Sequence, residues 1–378
     1  MKVIINLLQC RAEYTGTGRY VRNICRELAH MAPNVEFIRL VGNDNAQSYF
    51  IASQNFTQIR LPLHINRRVS RIVFEQCILP TVGLKYLGKN CVLWSPNDVP
   101  ILGWPGRQVV TIHDLRRVFL PEQFERFERT YYQFMMRSAA RSASTVLTVS
   151  EHSRQDIHRH YGVALERIQV TYNAVDPAFS RENDKKRVMA VLARYGLQQP
   201  YVLFTGHQLQ IKGPHILVEA FAQVRASYPN LTLVLVGKPG NATPLIEATT
   251  SRLGLDGAVR HLAWVQDDDL QCLYTAAQAM AFPSRYEGFG IPVLEAMHCG
   301  TPVITSRYSC LPEVAGDAAY YLEDTTPKAM AAALETVLGD SELRRELVRR
   351  GLANAARFTW QRSAQQVLDA LVTTVNRQ

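Results

Sequence analysis

Two glutamates stand eight residues apart around a glycine-rich turn. Glu287 precedes Gly288, Phe289 and Gly290, and Glu295 lies in the apolar run that follows. Glycines at the start of a helix let backbone N–H groups approach an anion, and the helix dipole favours negative charge there. Carboxylates accept hydrogen bonds from sugar hydroxyls but repel phosphate. The pattern therefore indicates a ligand with a phosphate part and a hydroxyl-rich part, such as a nucleoside diphosphate sugar.

A longer motif contains both glutamates. Residues 287–297 have the form E-G-F-G-x-P-x-x-E-A-M, and residues 300–306 and 311–314 continue the pattern. This run resembles the signature of the retaining family 4 glycosyltransferases. The resemblance covers nearly the whole chain, most strongly at residues 201–316 and most weakly at residues 35–105. The alternative, a solvated loop and helix face, does not explain how the glycines and the proline are placed.

The resemblance implies roles for the residues of this stretch. Glu295 would bind the ribose hydroxyls, and Glu287 would position a hydroxyl of the donor sugar without acting as a nucleophile. The N–H groups of Phe289 and Gly290 would lie near the phosphate. The residues implied in donor binding from this stretch are Arg285, Glu287, Gly288, Phe289, Gly290, Ile291 and Glu295.

Lys212 is the best candidate for a cation that holds the diphosphate. It follows an apolar strand at residues 201–205, and an ammonium there neutralises the charge that develops on a leaving pyrophosphate. Family members usually add an arginine just before this lysine or five residues ahead of it. This chain has Ile211 and His207 at those places. Either Arg285 or His207 supplies the second charge, or phosphate binding is weaker than usual.

A glycine pair opens the first helical segment. Gly16 and Gly18, in residues 15–20, follow the first predicted strand, and such a turn is an anion site in principle. Position 21 is Val, and no acid follows at the distance that a dinucleotide ribose requires, so we do not expect a nicotinamide cofactor. In the family this loop closes over the donor pyrophosphate or shapes the acceptor site. A tight turn for helix packing is the alternative.

His113 and Asp114 end a predicted buried strand at residues 109–112. Ligand sites in open α/β sheets lie at the carboxyl ends of strands. In the family the strand-end histidine approaches the transferred sugar, so the implied catalytic residues are His113, Lys212 and Glu287. A lone strand histidine is more often structural, and we expect Asp114 to orient the loop. Ser150 is expected to cap a helix at residues 151–160.

Strand-like apolar runs alternate with helix-period segments along the chain, which is typical of α/β domains with doubly wound parallel sheets. The resemblance implies the GT-B fold, with two Rossmann-like domains facing across a cleft. We place an acceptor-binding domain at residues 1–178, with a returning helix at 360–378, and a nucleotide-sugar-binding domain at 179–359. A linker is expected at residues 176–186. The other predicted strands and helices include 2–7, 92–94, 145–149, 168–171, 231–236, 279–282, 302–305, 214–228, 327–338 and 341–357.

Composition narrows the class of protein. The chain has 378 residues, enough for two domains, and 47% of them are hydrophobic. No run of about 20 apolar residues is present, and the apolar N-terminus fits a buried strand better than a signal peptide. Seven scattered cysteines without a CxxC pair favour a reducing cytosol and buried thiols.

Positive charge is concentrated in the first half. Residues 1–178 carry 22 Lys and Arg against 14 Asp and Glu, which is +8 of the net +9. This asymmetry favours an anionic partner, such as a membrane surface or a lipid-linked pyrophosphate acceptor. Nucleic acid is not expected, because no fold signature for it is present. Arg67, Arg68 and Arg71 form either a docking cluster or a solvated helix start.

The expected activity is retaining transfer of a hexose to a lipid-linked saccharide. Residues 111–115, 149–157 and 287–306 look most like bacterial mannosyltransferases of exopolysaccharide and O-antigen assembly, which implies GDP-mannose as the donor. The alternatives are a UDP-hexose transferase, a nucleotide-sugar epimerase and a non-catalytic binding subunit. No cofactor or obligatory metal is expected, since there is no D-x-D motif and the acidic run 267–269 resembles a solvated helix start.

Overall fold

The fold is described from a computed structural model of residues 1–10, 16–86, 90–176 and 179–377. The chain forms two compact units, Met1–Ala174 with Thr359–Gln378, and Val175–Phe358. The predicted boundaries between the domains, after residues 178 and 359, lie four residues and one residue beyond the observed ones. Thr15 and positions 177 and 178 of the predicted linker lie outside the described residues. Helix α7 already begins at Lys185, inside that predicted linker.

The first unit is built on a parallel sheet, with strand order β3-β2-β1-β4-β5-β6-β7 in the described residues. The chain runs outward from β1 to β3 and then returns to β4 on the other side of β1. The carboxyl ends of β1 and β4 therefore flank the point where the winding reverses, which is where ligands bind in such sheets. The strands are β1 (Lys2–Asn6), β2 (Glu36–Val41), β3 (Phe56–Arg60), β4 (Cys91–Ser95), β5 (Arg107–Thr111), β6 (Thr145–Thr148) and β7 (Ile168–Val170).

Helices cover this sheet. Serine capping fixes one of them as predicted, since the Ser150 hydroxyl accepts the Ser153 N–H at 3.1 Å, and Gly162 ends that helix with a φ of 68°. The helices are α1 (Gly16–Met31), α2 (Arg68–Val73), α3 (Leu79–Gly83), α4 (Arg116–Phe119), α5 (Arg126–Ser142) and α6 (Glu151–Tyr161). A π-helical turn, Phe74–Ile78, joins α2 to α3, and 3₁₀ turns are at Leu84–Tyr86, Pro121–Gln123 and Leu165–Arg167.

The second unit repeats the same architecture, with strand order β10-β9-β8-β11-β12-β13 and parallel pairing. Its winding reverses between β8 and β11. The strands are β8 (Tyr201–Thr205), β9 (Thr232–Val236), β10 (Val259–Leu262), β11 (Ala279–Phe282), β12 (Val303–Thr305) and β13 (Tyr320–Tyr321). The helices are α7 (Lys185–Arg194), α8 (Pro214–Arg225), α9 (Thr243–Arg252), α10 (Asp267–Ala276), α11 (Ile291–His298), α12 (Leu311–Ala315), α13 (Pro327–Gly339) and α14 (Ser341–Ala355), with a 3₁₀ turn at Gln210–Lys212.

The last helix, α15 (Trp360–Asn376), returns to the first unit. It packs against α1 and strands β4 to β7. Its hydroxyls fix the contact, because Thr374 Oγ1 lies 2.8 Å from Thr145 Oγ1 and the Ser363 hydroxyl donates to the Tyr172 carbonyl. The α/β fold with two parallel sheets is therefore the one predicted. Within the described residues, no helix combines the length and the apolar character needed to cross a bilayer.

Three predictions about individual residues are wrong. Arg71 is neither solvated nor part of a surface cluster, because it is buried beside the carboxylate of Glu75. Asp269 is not a solvated residue, since it is buried and accepts hydrogen bonds from Arg194 and Tyr195. The thiol of Cys77 is exposed rather than buried. In both buried cases an ionic partner offsets the loss of water: Glu75, four residues along the chain from Arg71, and Arg194, which is distant in sequence from Asp269.

Candidate active site

Two loops of the second unit carry the charged residues of the candidate site. The first follows β8 and ends in the 3₁₀ turn that contains Lys212. Gly213 closes this turn with a φ of 73°, and Pro214 then starts α8. A Cβ atom on Gly213 would lie 2.8 Å from the Pro283 carbonyl oxygen, so only glycine permits this approach. The close packing holds the Lys212 loop against the chain that leaves β11.

The second loop follows β11 and carries Glu287. Gly290 ends it with a φ of 93° and forms the N-cap of α11, whose first turn contains Pro292. A Cβ atom on Gly290 would lie 2.9 Å from Leu311 Cδ2. As predicted, Glu287 is on the loop and Glu295 is within α11. Gly288, Phe289 and Ile291 lie in the same continuous stretch, at the start of the helix, and Phe289 is buried.

Lys212 and Glu287 form an ion pair. The ammonium nitrogen is 2.7 Å from Glu287 Oε1, and the Ser284 hydroxyl donates to the same oxygen at 2.9 Å. The two side chains are only 14% and 13% exposed, so the pair is partly desolvated. Lys212 Nζ also lies 5.3 Å from the centre of the Phe282 ring. The arrangement offers a positive charge for an anion next to a carboxylate that accepts from hydroxyl groups.

Glu295 belongs to a buried hydrogen-bond chain. Its Oε2 accepts from the Tyr274 hydroxyl at 2.9 Å, and that hydroxyl lies 2.6 Å from Thr205 Oγ1. Burial, followed by the charge of Glu295, raises the pKa of Tyr274 well above its usual value. Tyr274 therefore stays protonated and donates a hydrogen bond to the carboxylate. No pattern in the sequence indicated this tyrosine, which is one of several buried residues of α10.

The two candidates for a second phosphate-binding charge have other contacts. Arg285 is exposed, and its Nε donates to Thr325 Oγ1 at 3.0 Å. His207 is exposed, and its Nε2 lies 2.8 Å from the Pro239 carbonyl oxygen. The structure thus brings Lys212 to Glu287 but directs these two side chains elsewhere. Their role in phosphate binding stays a prediction.

In the first unit, His113 follows the end of β5. Its backbone N–H donates to Asp98 Oδ1 at 3.0 Å, and its Nε2 lies 2.9 Å from the Pro96 carbonyl oxygen. The ring also contacts Tyr20 edge-on, with the ring centres 5.2 Å apart. Burial raises the pKa of Asp98, although His113 and Arg117 oppose this shift. The imidazole is thus fixed at the carboxyl edge of the sheet.

Three other predicted residues, Asp114, Gly16 and Gly18, also belong to the first unit. Asp114 accepts the Arg116 N–H at 2.8 Å, so it orients the loop as predicted. Gly16 and Gly18 are in the first turn of α1, where Gly16 is exposed and Gly18 is buried. Their predicted contact with the donor stays a prediction.

Sequence models of two glycosyltransferase families match the chain in succession. Glycosyltransferase Family 4 matches residues 14–179, and Glycosyl transferases group 1 matches residues 192–353. The two matches follow the two units and include the candidate residues of each. The chain belongs to the family 4 glycosyltransferases. The match to group 1 includes both Lys212 and Glu287.

Curated relatives extend this assignment. The family 4 chain is 29% identical to the O-antigen chain mannosyltransferase B of Escherichia coli over 98% of its own length and 99% of that protein. It is also 29% identical to the O-antigen chain mannosyltransferase RfbU of Salmonella typhimurium, over 70% of its length and 69% of that protein. A D-inositol 3-phosphate glycosyltransferase of Segniliparus rotundus is 32% identical, but over only 56% of this chain and 48% of that one.

Solved structures confirm the GT-B fold of this family 4 glycosyltransferase. HepE of Anabaena, solved in complex with UDP and glucose, superimposes with a TM-score of 0.74 over 99% of this chain and all of its own, at 18% identity. WaaG, a glycosyltransferase involved in lipopolysaccharide biosynthesis, gives a TM-score of 0.73 over 98% and 99% of the two chains, also at 18% identity.

Proposed function

We propose that this glycosyltransferase moves mannose from GDP-mannose to a lipid-linked saccharide, with retention of the anomeric configuration, in the synthesis of a bacterial cell-surface polysaccharide. The supporting observation is the end-to-end similarity to the O-antigen chain mannosyltransferase B, which spans 98% of this chain and 99% of the relative. A similarity limited to one unit would support only a shared donor or a shared acceptor. This similarity includes the elements that carry both His113 and Lys212.

The charged pair suits the bond that breaks in this reaction. As the anomeric C–O bond opens, positive charge develops on the sugar and negative charge on the departing diphosphate. Lys212 donates one of its three N–H groups to Glu287, and in this proposal the other two bind a phosphate oxygen. Glu287 holds a sugar hydroxyl, and Glu295 holds the ribose. The N–H groups of Phe289 and Gly290 bind the phosphate at the start of α11.

The acceptor hydroxyl completes the reaction in this proposal. It attacks the anomeric carbon from the face that the diphosphate leaves, and its proton passes to the leaving phosphate oxygen. The diphosphate charge is held by Lys212 and by backbone N–H groups, so no metal is required, and addition of EDTA should leave transfer unchanged. His113 is the residue of the first unit to which this proposal assigns a catalytic role.

A thermal-shift panel of GDP, UDP, ADP and their sugar conjugates tests the donor, since a ligand that binds the native state raises its Tm. A shift with GDP and GDP-mannose alone supports the proposal. NMR of the product then tests retention, because an α-mannosyl product from α-linked GDP-mannose is required. No shift with any nucleotide would contradict the catalytic proposal itself.

A UDP-hexose transferase is the second candidate. The similarity to the D-inositol 3-phosphate glycosyltransferase of Segniliparus rotundus favours different substrates, although it covers only 56% of this chain. A Tm shift with UDP compounds would leave the proposed mechanism unchanged and identify a UDP-sugar as the donor. An epimerase would release an altered nucleotide sugar without acceptor, and a binding subunit would bind the donor without transfer or hydrolysis.

We also propose an anionic membrane surface as the docking partner of the first unit. Val69, Val73, Ile78 and Leu84 are exposed along α2, the π-turn, α3 and the 3₁₀ turn that follows, which we call the α2–α3 face. Spacings of four residues in an α-helix and five in a π-turn keep Val69, Val73 and Ile78 on one side. The exposed side chains of Arg67 and Lys85 flank them. An apolar strip with flanking cations fits a bilayer of anionic lipids.

A further inference from the structure

Ser309 has an unusual backbone conformation next to the candidate site. Its φ is 57°, and among the described residues only Asp98 shares a positive φ without being glycine. A non-glycine residue in this region carries strain, which persists only where the surrounding structure holds it. Ser309 precedes α12 and lies 22 positions beyond Glu287. The strain therefore stands in the segment that packs on the Glu287 loop.

The Ser309 hydroxyl binds both polar groups of the Glu287 main chain. It accepts the Glu287 N–H at 3.2 Å and donates to the Glu287 carbonyl oxygen. The thiol of Cys310 also lies 3.1 Å from that carbonyl oxygen. Cys310 is fully buried, and burial together with nearby carboxylates raises the pKa of its thiol well above the usual value. The thiol therefore stays protonated and donates.

The positive φ explains how two successive residues reach one carbonyl. In an extended segment, neighbouring side chains point to opposite sides. The left-handed turn at Ser309 instead brings its hydroxyl and the Cys310 thiol to the same oxygen. The next residue, Leu311, packs where a Cβ atom of Gly290 would be. The segment of three residues from Ser309 thus fixes both ends of the turn that carries Glu287.

We propose that Ser309 is a positioning residue that keeps the Glu287 carboxylate directed at the donor sugar. The carboxylate itself is held by Lys212 and Ser284, and Ser309 holds the main chain from which it extends. In this proposal the strained conformation of Ser309 serves to position Glu287 and is not needed for the stability of the fold. This inference rests on the proposed function, in which Glu287 binds a sugar hydroxyl. It predicts that Ser309 affects the affinity for the sugar of the donor and does not affect the affinity for the nucleotide.

The variants Ser309→Gly and Ser309→Ala separate strain from hydrogen bonding. Both remove the hydroxyl, but glycine adopts a φ of 57° without strain, whereas alanine does not. We expect Ser309→Gly to keep the Tm of the parent or raise it. Calorimetry with GDP and GDP-mannose should give an unchanged Kd for GDP and about a tenfold loss in the advantage of GDP-mannose over GDP, the size of one hydrogen bond. Ser251→Ala, at an exposed serine of α9, is the control.

A double variant tests whether Ser309 acts through Glu287. In the Glu287→Gln background, Ser309→Gly should have no further effect on the advantage of GDP-mannose, because the carboxylate that it positions is gone. Independent, additive effects of the two substitutions would overturn the inference. The same measurements with UDP and UDP-glucose apply if UDP is the nucleotide that binds the parent.

The remaining outcomes separate this inference from the proposed function. If the parent and Glu287→Gln differ in sugar affinity but Ser309→Gly equals the parent, the inference is wrong and the proposed function stands. If Ser309→Gly lowers the Tm and weakens GDP and GDP-mannose equally, the role is structural and the inference is wrong. If the parent gains no affinity from the sugar of either nucleotide pair, the proposed function fails and the inference fails with it.

Discussion

The ammonium of Lys212 lies 2.7 Å from Oε1 of Glu287, although 75 residues separate them in the chain. Each partner offsets the cost of partial burial of the other, so the pair is stable without a ligand. A phosphate that approaches Lys212 and a hydroxyl that approaches Glu287 find groups that are already fixed in place. Such preorganisation lowers the free-energy cost of ordering side chains when a ligand binds.

Replacement of Lys212 by alanine should lower kcat of transfer by about 10² to 10³, the usual effect of removing one preorganised charge at a reacting centre. The fold should persist, because the side chain contributes one ion pair at the end of a loop. Steady-state kinetics and circular dichroism check the two parts. Lys238→Ala, at an exposed lysine beyond β9, is the matched control. Near-normal transfer by Lys212→Ala would contradict the assignment.

Replacement of Tyr274 by phenylalanine should weaken nucleotide binding through Glu295. The variant loses the 2.9 Å hydrogen bond to the buried carboxylate, at a cost of about 1.5 to 3 kcal/mol in the free energy of unfolding. If Glu295 binds the ribose, the preference for GDP over 2′-deoxy-GDP should fall about tenfold. Tyr201→Phe removes a different buried hydroxyl, bonded to the Leu273 carbonyl, and should lower stability without changing this preference. An equal change of preference in both variants would argue against the role.

Glu75 should make stability depend on pH. Burial raises its pKa to about 7 from 4.5, although Asn6, Arg71 and Gln9 oppose the shift. The folded state therefore binds the proton more tightly than the unfolded state does. Proton binding by Glu75 therefore contributes about 3 kcal/mol to the free energy of unfolding below about pH 4.5. This contribution is lost as the pH rises to 7.

The variant Glu75→Gln isolates this effect. A glutamine cannot ionise, and the buried Oε1 of Gln9, which has no hydrogen-bond partner, is available to accept its amide after a flip of the Gln9 side chain. Urea unfolding at pH 4.5 and pH 8 should show the parent losing stability relative to Glu75→Gln as the pH rises. A difference between the two proteins that stays constant over this range would contradict the prediction.

The α2–α3 face should bind anionic vesicles. Sedimentation with vesicles that contain phosphatidylglycerol should capture the parent, and capture should weaken as salt rises, because screening reduces the attraction of Arg67 and Lys85. A double variant, Val69→Ser with Val73→Ser, should lower the bound fraction several-fold without a change in Tm, since both side chains are exposed. Leu245→Ser, at an exposed leucine in the second unit, is the control. Equal binding to neutral vesicles would contradict an electrostatic contribution.

The central strands were predictable because each is an unbroken apolar run. The predicted runs 201–205 and 279–282 coincide with β8 and β11, which are buried on both faces. Strand β2 was not predicted, because Arg39 interrupts its apolar run. That arginine is buried, with the carbonyl oxygen of Tyr49 as an acceptor and the Phe56 ring 5.4 Å away. A local pattern cannot reveal that residues ten or more positions away supply these partners.

Some features of the candidate site were also predictable from the sequence, and others were not. Glycine and proline placement predicted the turn that carries Glu287, and the apolar strand at residues 201–205 predicted the loop that carries Lys212. The ion pair between them was not predicted, because it depends on how two parallel strands are ordered in the sheet. Tyr274 and Ser309 were missed for a related reason. Each acts through a single hydrogen-bonding group on a residue more than 20 positions away, and neither residue type is unusual in its own segment.

The chain leaves the first unit once, after Ala174, and re-enters it once, at Thr359. The whole unit that contains Lys212, Glu287 and Ser309 is therefore one continuous stretch of the chain, while the other unit is formed from two separate stretches. A single recombination event with two crossovers can replace that stretch and leave the termini and α15 unchanged. Under the proposed division into a donor-binding and an acceptor-binding unit, such an exchange would change the nucleotide-sugar preference and keep the acceptor.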